Sequence, residues 1–135
     1  MSDVRHQLSA ALYGVLTGDA GLGAILAGGK VFDRVPRGAA HPFVSFGDMV
    51  SRRLDGDAAP VTEHFVDVLV HSREAGQKEA SDIAERVIAL LDDAALAMPD
   101  YRLASLRHRD TQVSASRDRR AYRVRLRFRA LTEAL

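Results

Sequence analysis

Four arginines at alternate positions, Arg123, Arg125, Arg127 and Arg129, form the sharpest chemical pattern in this chain. A guanidinium group binds carboxylate or phosphate through parallel hydrogen bonds. Residues two apart in an extended strand project to one face, so the row lies on one side of the strand while Val124, Leu126 and Phe128 face a hydrophobic core. Neighbouring arginines on that face stand about 7 Å apart and repel by about 0.6 kcal/mol in water, or about 2.4 kcal/mol at an effective dielectric of 20. Such a row wants counter-charges. From the residues alone three sources remain open. The row is a solvated outer sheet face neutralised by Glu63 and Asp67 of a neighbouring strand, a contact with the acidic body of another copy, or a contact with nucleic acid. Against the last stands the lack of base-stacking aromatics beside the arginines.

Other chemistry is thinner. The glycine-rich stretch Gly18-Asp19-Ala20-Gly21-Leu22-Gly23 follows a helix rather than a strand and has no Gly-Lys-Ser/Thr, so it reads as a turn with Asp19 as a helix cap rather than a phosphate loop. The histidines, His6, His41, His64, His71 and His108, show no metal-ligand spacing, and neither a metal site nor a cofactor site is expected. Ser45 or Ser72 could be assembled with His71 and Asp67 into a hydrolytic set, but Ser72 and His71 are adjacent in a strand and point apart, and no strained nucleophile turn appears. The reading is that the chain is not an enzyme.

The elements that position the arginines follow from periodicity. Val4, Leu8, Ala11, Leu12, Val15 and Leu16 predict a helix over 3–17, and Leu22, Ile25 and Leu26 a short one over 20–27, stopped by Gly28-Gly29. A short extended piece is expected at 31–35, a loop at 36–42 and a strand at 43–50, with Val44, Phe46, Asp48 and Val50 on one side and Phe43 and Met49 on the other. Residues 51–61 read as a long polar connection with a turn at Asp55-Gly56. Alternation over 62–72 puts His64, Val66, Val68 and Val70 on one face and Glu63, Phe65, Asp67, Leu69 and His71 on the other. A helix follows from Gly76 to about Asp93, with Asp82 placed to pair with Arg86 one turn later. Strands at about 102–113 and 120–130 close the chain as a basic hairpin. This order predicts a single α+β domain over 1–135, a two-layer sandwich with a mostly antiparallel sheet of four to five strands and two main helices on one face.

With 135 residues, 47% of them hydrophobic, one core can be built, burying about two-thirds of the surface the unfolded chain exposes. Cysteine is absent, which excludes disulfide and thiolate chemistry. No apolar run approaches the length of a membrane span, and the N-terminus lacks the basic-then-apolar order of a signal peptide, so neither insertion nor export by that route is expected. The net charge of +1 hides a segregation. Residues 1–101 carry nine basic and fifteen acidic side chains, and residues 102–129 carry ten and two. An acidic body with a basic hairpin suits nucleic acid, and it equally suits head-to-tail association of copies.

Laid out in order, several segments resemble the tail terminator, or tail completion, family of long-tailed (siphovirus-type) phages and phage-derived gene transfer agents. They are the helix ending near Leu16, Val31-Phe32-Asp33-Arg34-Val35-Pro36, His41-Pro42-Phe43-Val44-Ser45-Phe46-Gly47, and Val68-Leu69-Val70-His71-Ser72-Arg73-Glu74-Ala75-Gly76 leading into the Ala80–Leu91 helix, followed by a two-strand C-terminus. The resemblance spans nearly the whole chain and rests on order and spacing. Phe32 and Phe43 stand where a tyrosine is common, and His71 where an aromatic is frequent.

The resemblance implies a structural virion protein without catalytic residues, assembled in the host cytoplasm. Such proteins form a hexameric ring that caps the tail tube, ends its polymerisation and meets the head-side connector, while DNA passes through the lumen without sequence-specific binding. Function would then reside in interfaces. Arg123, Arg125, Arg127, Arg129, Glu63 and Asp67 are candidates for a subunit interface or the lumen, the interface being preferred because unpaired arginines would hold passing phosphates. Arg37 and His41 in loop 36–42, and Arg52, Arg53, Asp55 and Asp57 in loop 51–61, are candidate arms for gripping neighbouring rings. The alternative is a small nucleic-acid-binding domain using the basic C-terminal hairpin.

Overall fold

The structure, a computed structural model, describes residues 3–26, 30–54, 60–73 and 76–135. Three helices, α1 (Val4–Thr17), α2 (Ala20–Leu26) and α3 (Gly76–Leu91), pack on one face of a five-stranded sheet. The strands are β1 (Val31–Phe32), β2 (Phe43–Leu54), β3 (Val61–Arg73), β4 (Tyr101–Ala115) and β5 (Ala121–Ala134), in the spatial order β1-β2-β3-β5-β4. All ladders are antiparallel except the two-residue pairing of β1 with the start of β2. The fold is the expected α+β sandwich. No single helix among the described residues is long and apolar enough to cross a membrane.

The helices form where caps and apolar stripes agree. Asp3 caps α1 by accepting from the Arg5 amide at 2.8 Å, and Leu8, Leu12 and Leu16 recur at four-residue spacing to make its buried stripe. Asp19 caps α2 through the Leu22 amide at 2.7 Å. In α3, Ala80, Ile83, Ala84, Val87 and Leu91 are buried. These stripes meet the inward residues of the central strands, Val66, Val68 and Val70 from β3 and Val124, Leu126, Phe128 and Ala130 from β5. The two central strands thus place their apolar alternation on the core and their charged alternation on the uncovered face.

Several expectations are corrected. The strand at Phe43 does not stop at Val50 but runs to Leu54, so Arg52 and Arg53 lie in β2 and not in a loop. Asp55 and Asp57, like Gly28 and Gly29, fall outside the described residues. Between Phe46 and Met49 the ladder with β3 slips at a bulge, because Phe46 pairs with Val68 and Met49 with Val66. One extra residue exchanges the faces beyond it. Val44 and Phe46 point to the helices together with Met49, and Val50 turns to the open face, where it is 63% exposed. Arg86 pairs with Asp19 rather than Asp82, which binds Lys78 instead. The extended piece at 31–35 shortens to two residues, and the last two strands extend to Ala115 and Ala134.

Candidate functional site

The β3–β5 ladder sets Arg123, Arg125, Arg127 and Arg129 opposite His71, Leu69, Asp67 and Phe65. All of these lie on the face without helices. Arg127 donates from Nε to Asp67 Oδ1 at 2.9 Å and from Nη2 to Oδ2 at 3.3 Å. Arg129 reaches diagonally from Nε to Glu63 Oε2 at 2.6 Å, and Arg52 of β2 donates to the other oxygen of Glu63 at 2.9 Å. Glu63 and Asp67 are each only 4% exposed. The hydrogen bond from Arg129, reinforced by Arg52, holds the Glu63 carboxyl below its usual range, and the bond to Asp67 raises Arg127 further. Two carboxylates on β3 therefore hold three guanidinium groups within the subunit and leave one net positive charge on the cluster.

The other half of the row is not balanced in this way. Arg125 makes one longer contact, Nη2 to Asp110 Oδ1 at 3.3 Å, and its buried Nε has no acceptor among the described residues. Arg123 is exposed and meets no carboxylate among those residues. Just beyond it the β4–β5 turn carries Arg117, Arg119 and Arg120, all exposed, while Asp118 is engaged by the Ser116 hydroxyl and the Arg120 amide. These bonds, Ser116 first, lower the Asp118 carboxyl. The face thus grades from paired charge at Arg127 and Arg129 to cations without a carboxylate partner among the described residues at Arg123 and the hairpin tip.

The candidate loops separate along the same axis. Loop 36–42, with exposed Arg37 and half-buried His41, enters the sheet at the end where the hairpin tip projects; Arg52 and Arg53 lie at the opposite end, about 30 Å away along β2. The structure brings together Arg52, Glu63, Asp67, Arg127 and Arg129, and leaves Arg37, His41 and Arg53 apart from them.

Three further polar clusters form, and of their contacts the sequence suggests only the Ser45–His71 pair. Phe43 stacks on His71 with ring centroids 4.4 Å apart, His41 meets Phe43 edge-on at 4.9 Å, and His71 Nε2 lies 3.0 Å from Ser45 Oγ. Burial, aided by Arg73 and Arg123 respectively, pushes the His41 and His71 imidazoles below their ordinary value. His64, fully buried, bridges the hydroxyls of Ser51 at 2.7 Å and Thr132 at 2.9 Å. Gln7 ties α1 to the stretch before β4 by donating to the Asp100 carboxylate and accepting from its amide. The signal that could have exposed the first cluster is the shared face of Ser45 and His71 on paired strands.

A profile of the family described as Tail completion protein gp17 matches residues 10–133 of this chain. The chain belongs to the tail completion protein family. A solved structure whose chain is 27% identical, titled "Virion of native gene transfer agent (GTA) particle", superposes with a TM-score of 0.87, covering 98% of this chain and 99% of that one. A search of curated proteins finds no match.

In this tail completion protein the polar clusters link elements of the fold, α1 to the stretch before β4 and β2 to β3 and β5. Among the described residues the Ser45–His71 contact has no carboxylate in line, since Asp67 is taken by Arg127 and Ser72 donates to Glu79 on the opposite face. No group of three metal-ligating side chains gathers among the described residues.

Proposed function

We propose that this protein is a structural rather than catalytic component of a phage-like particle, a hexameric ring that caps the tail tube, ends its polymerisation and joins it to the head-side connector. The observation that carries the reading is the nearly end-to-end match to a chain of a gene transfer agent virion, within a family defined by tail completion. The charge layout supports it. A closed ring needs two different patches of one chain to meet. The cations at Arg123 and the hairpin tip, without carboxylate partners among the described residues, form one patch, and the exposed acid Glu85 on α3 offers a complement beside Asp82, which Lys78 already holds. Internal pairing of Arg127 and Arg129 also lowers the number of phosphates the sheet face could hold during DNA passage. Loop 36–42 and the Arg52–Arg53 end of β2 lie at opposite ends of the sheet and suit contacts to different neighbouring rings, tube on one side and connector on the other.

Native mass spectrometry of the protein alone and with purified tubes, together with microscopy of tube ends, tests this. Six-subunit rings on tube ends are expected. A chain that remains monomeric in both conditions and leaves tubes growing overturns the reading. The free hairpin arginines favour nucleic-acid binding as the second reading. Under it, Arg119→Glu with Arg123→Glu abolishes low-salt DNA binding and leaves self-association intact.

A further inference from the structure

The sheet has two long open edges. On β2, β1 covers only Val44 and Ser45, so Met49–Leu54, the stretch after the bulge, pairs with β3 on one side and has no neighbour on the other among the described strands. On β4, one isolated bridge covers Arg102, and Asp110–Ala115, the stretch after the last bulge, is exposed throughout. Each open edge is an uninterrupted run of six residues already held extended. Such edges are templates for strand addition, and a protein removes them by covering or closing them.

We propose that Asp110–Ala115 of one copy pairs with Met49–Leu54 of the next, so that the sheets of the ring join edge to edge. The proposal rests on the ring reading and specifies how its subunits meet. Direction agrees, because β2, β3, β5 and β4 alternate, and β4 of one copy meets β2 of the next antiparallel. Facing agrees too. Met49, Ser51 and Arg53 share the helix side of β2, and Thr111, Val113 and Ala115 share that of β4. A register placing Val50 opposite Ser114 and Ser51 opposite Val113 keeps both helix sides together. It sets Gln112 against Arg52 and Thr111 against Arg53, so no like charges oppose, and it places Asp110 diagonal to Arg52. Val113, 46% exposed in the single subunit, then gains Met49 as a diagonal neighbour. The contact is heterologous and repeats head to tail, as ring closure demands.

The absence of native cysteine makes the test direct. Opposed residues of an antiparallel pair bring their Cα atoms within disulfide range, whereas β2 and β4 of one chain are three strand spacings, about 14 Å, apart. Val50→Cys with Ser114→Cys, both exposed positions, is oxidised in the assembled state and run under non-reducing conditions. A ladder of covalent oligomers is expected, about tenfold stronger than from Val50→Cys with Val113→Cys, whose side chains lie on opposite faces. Each single variant should give no ladder beyond a dimer. Rings seen by native mass spectrometry without the Val50–Ser114 ladder overturn the edge pairing and leave the ring reading standing. Equal cross-linking by both double variants also overturns it. No oligomer in any condition overturns both.

Discussion

Asp67 and Arg127 stand directly opposite each other across the β3–β5 ladder and close a two-point ion pair, with Asp67 almost fully buried and the Arg127 side chain 36% exposed. A buried carboxylate deprived of its partner loses several kcal/mol, while a pair replaced by apolar residues loses little. Arg127→Ala is therefore expected to destabilise by about 2 kcal/mol, less than for a fully buried pair because water reaches the guanidinium group. Asp67→Leu with Arg127→Leu should recover most of that. Urea unfolding of the singles and the double gives the coupling energy, and a coupling near zero would show that the pair contributes nothing.

Arg125 presents the contrary case. Among the described residues its Nε is buried without an acceptor, and its one carboxylate contact, at 3.3 Å, goes to a half-exposed Asp110. Leu69 lies opposite it on β3. Removing an unsatisfied donor and adding apolar contact leaves little to lose, so Arg125→Leu is expected to change stability by less than about 0.5 kcal/mol or to raise it. A loss as large as that of Arg127→Ala in the same assay would refute the asymmetry along the row.

Much of this arrangement could be read in advance because two strands with strict alternation, 62–72 and 120–130, must put their apolar faces on one core. That requirement alone sets Glu63 and Asp67 on the same face as the arginines. The end of β2 escaped the same reasoning. Arg52 and Arg53 sit in an edge strand facing water on both sides, and such a strand has the composition of a loop. The bulge before Met49 inverts the faces of everything after it, and Gly47, an isolated glycine inside the strand pattern where a Cβ would crowd Asp67 and Leu69, is the signal that could have announced it. Helical spacing pairs Arg86 with Asp82, but Asp19, 67 positions away in the chain, offers a two-point contact that Asp82 does not make.

That partner, Asp19, does two jobs. Its Oδ2 accepts from the Leu22 amide, capping α2, and its carboxylate receives Arg86 Nε at 2.9 Å and Nη2 at 2.7 Å, fastening α2 to α3. The Arg86 bond, then the Leu22 amide, hold its carboxyl below the usual range. Loss of a cap costs about 1 kcal/mol and the partly exposed pair adds a smaller amount, so Asp19→Ala should destabilise by about 1.5–2 kcal/mol. Gly21→Val is expected to act on the same contact, since a Cβ there meets Arg86 Nη2 at 3.0 Å. Combined with Asp19→Ala, it should cost less than the sum of the two, and strict additivity in thermal unfolding would show that they act separately.

Acid should weaken the fold in two stages. His64 lies fully buried between two hydroxyls, and burial, with Arg5 nearby, pushes its imidazole below the ordinary 6.5; Asp3 opposes this weakly. His41 and His71 shift the same way. The unfolded chain therefore takes up these protons first as pH falls, and stability present above pH 6.5 is lost progressively below it, until the folded-state values are reached. Glu63 and Asp19 shift downward as carboxylates, so their contribution is full above the unfolded values of 4.5 and 3.8 and disappears at still lower pH. Urea midpoints should be level from pH 8 to 7, begin to fall at about pH 6.5, and fall further below pH 4.5 as the carboxylates add their loss. His64→Gln should flatten the first decline, even if its stability at pH 8 is lower. A midpoint that holds or rises from pH 7 to 5 in the unaltered protein would mean that the buried imidazoles accept charge without penalty, contrary to their burial.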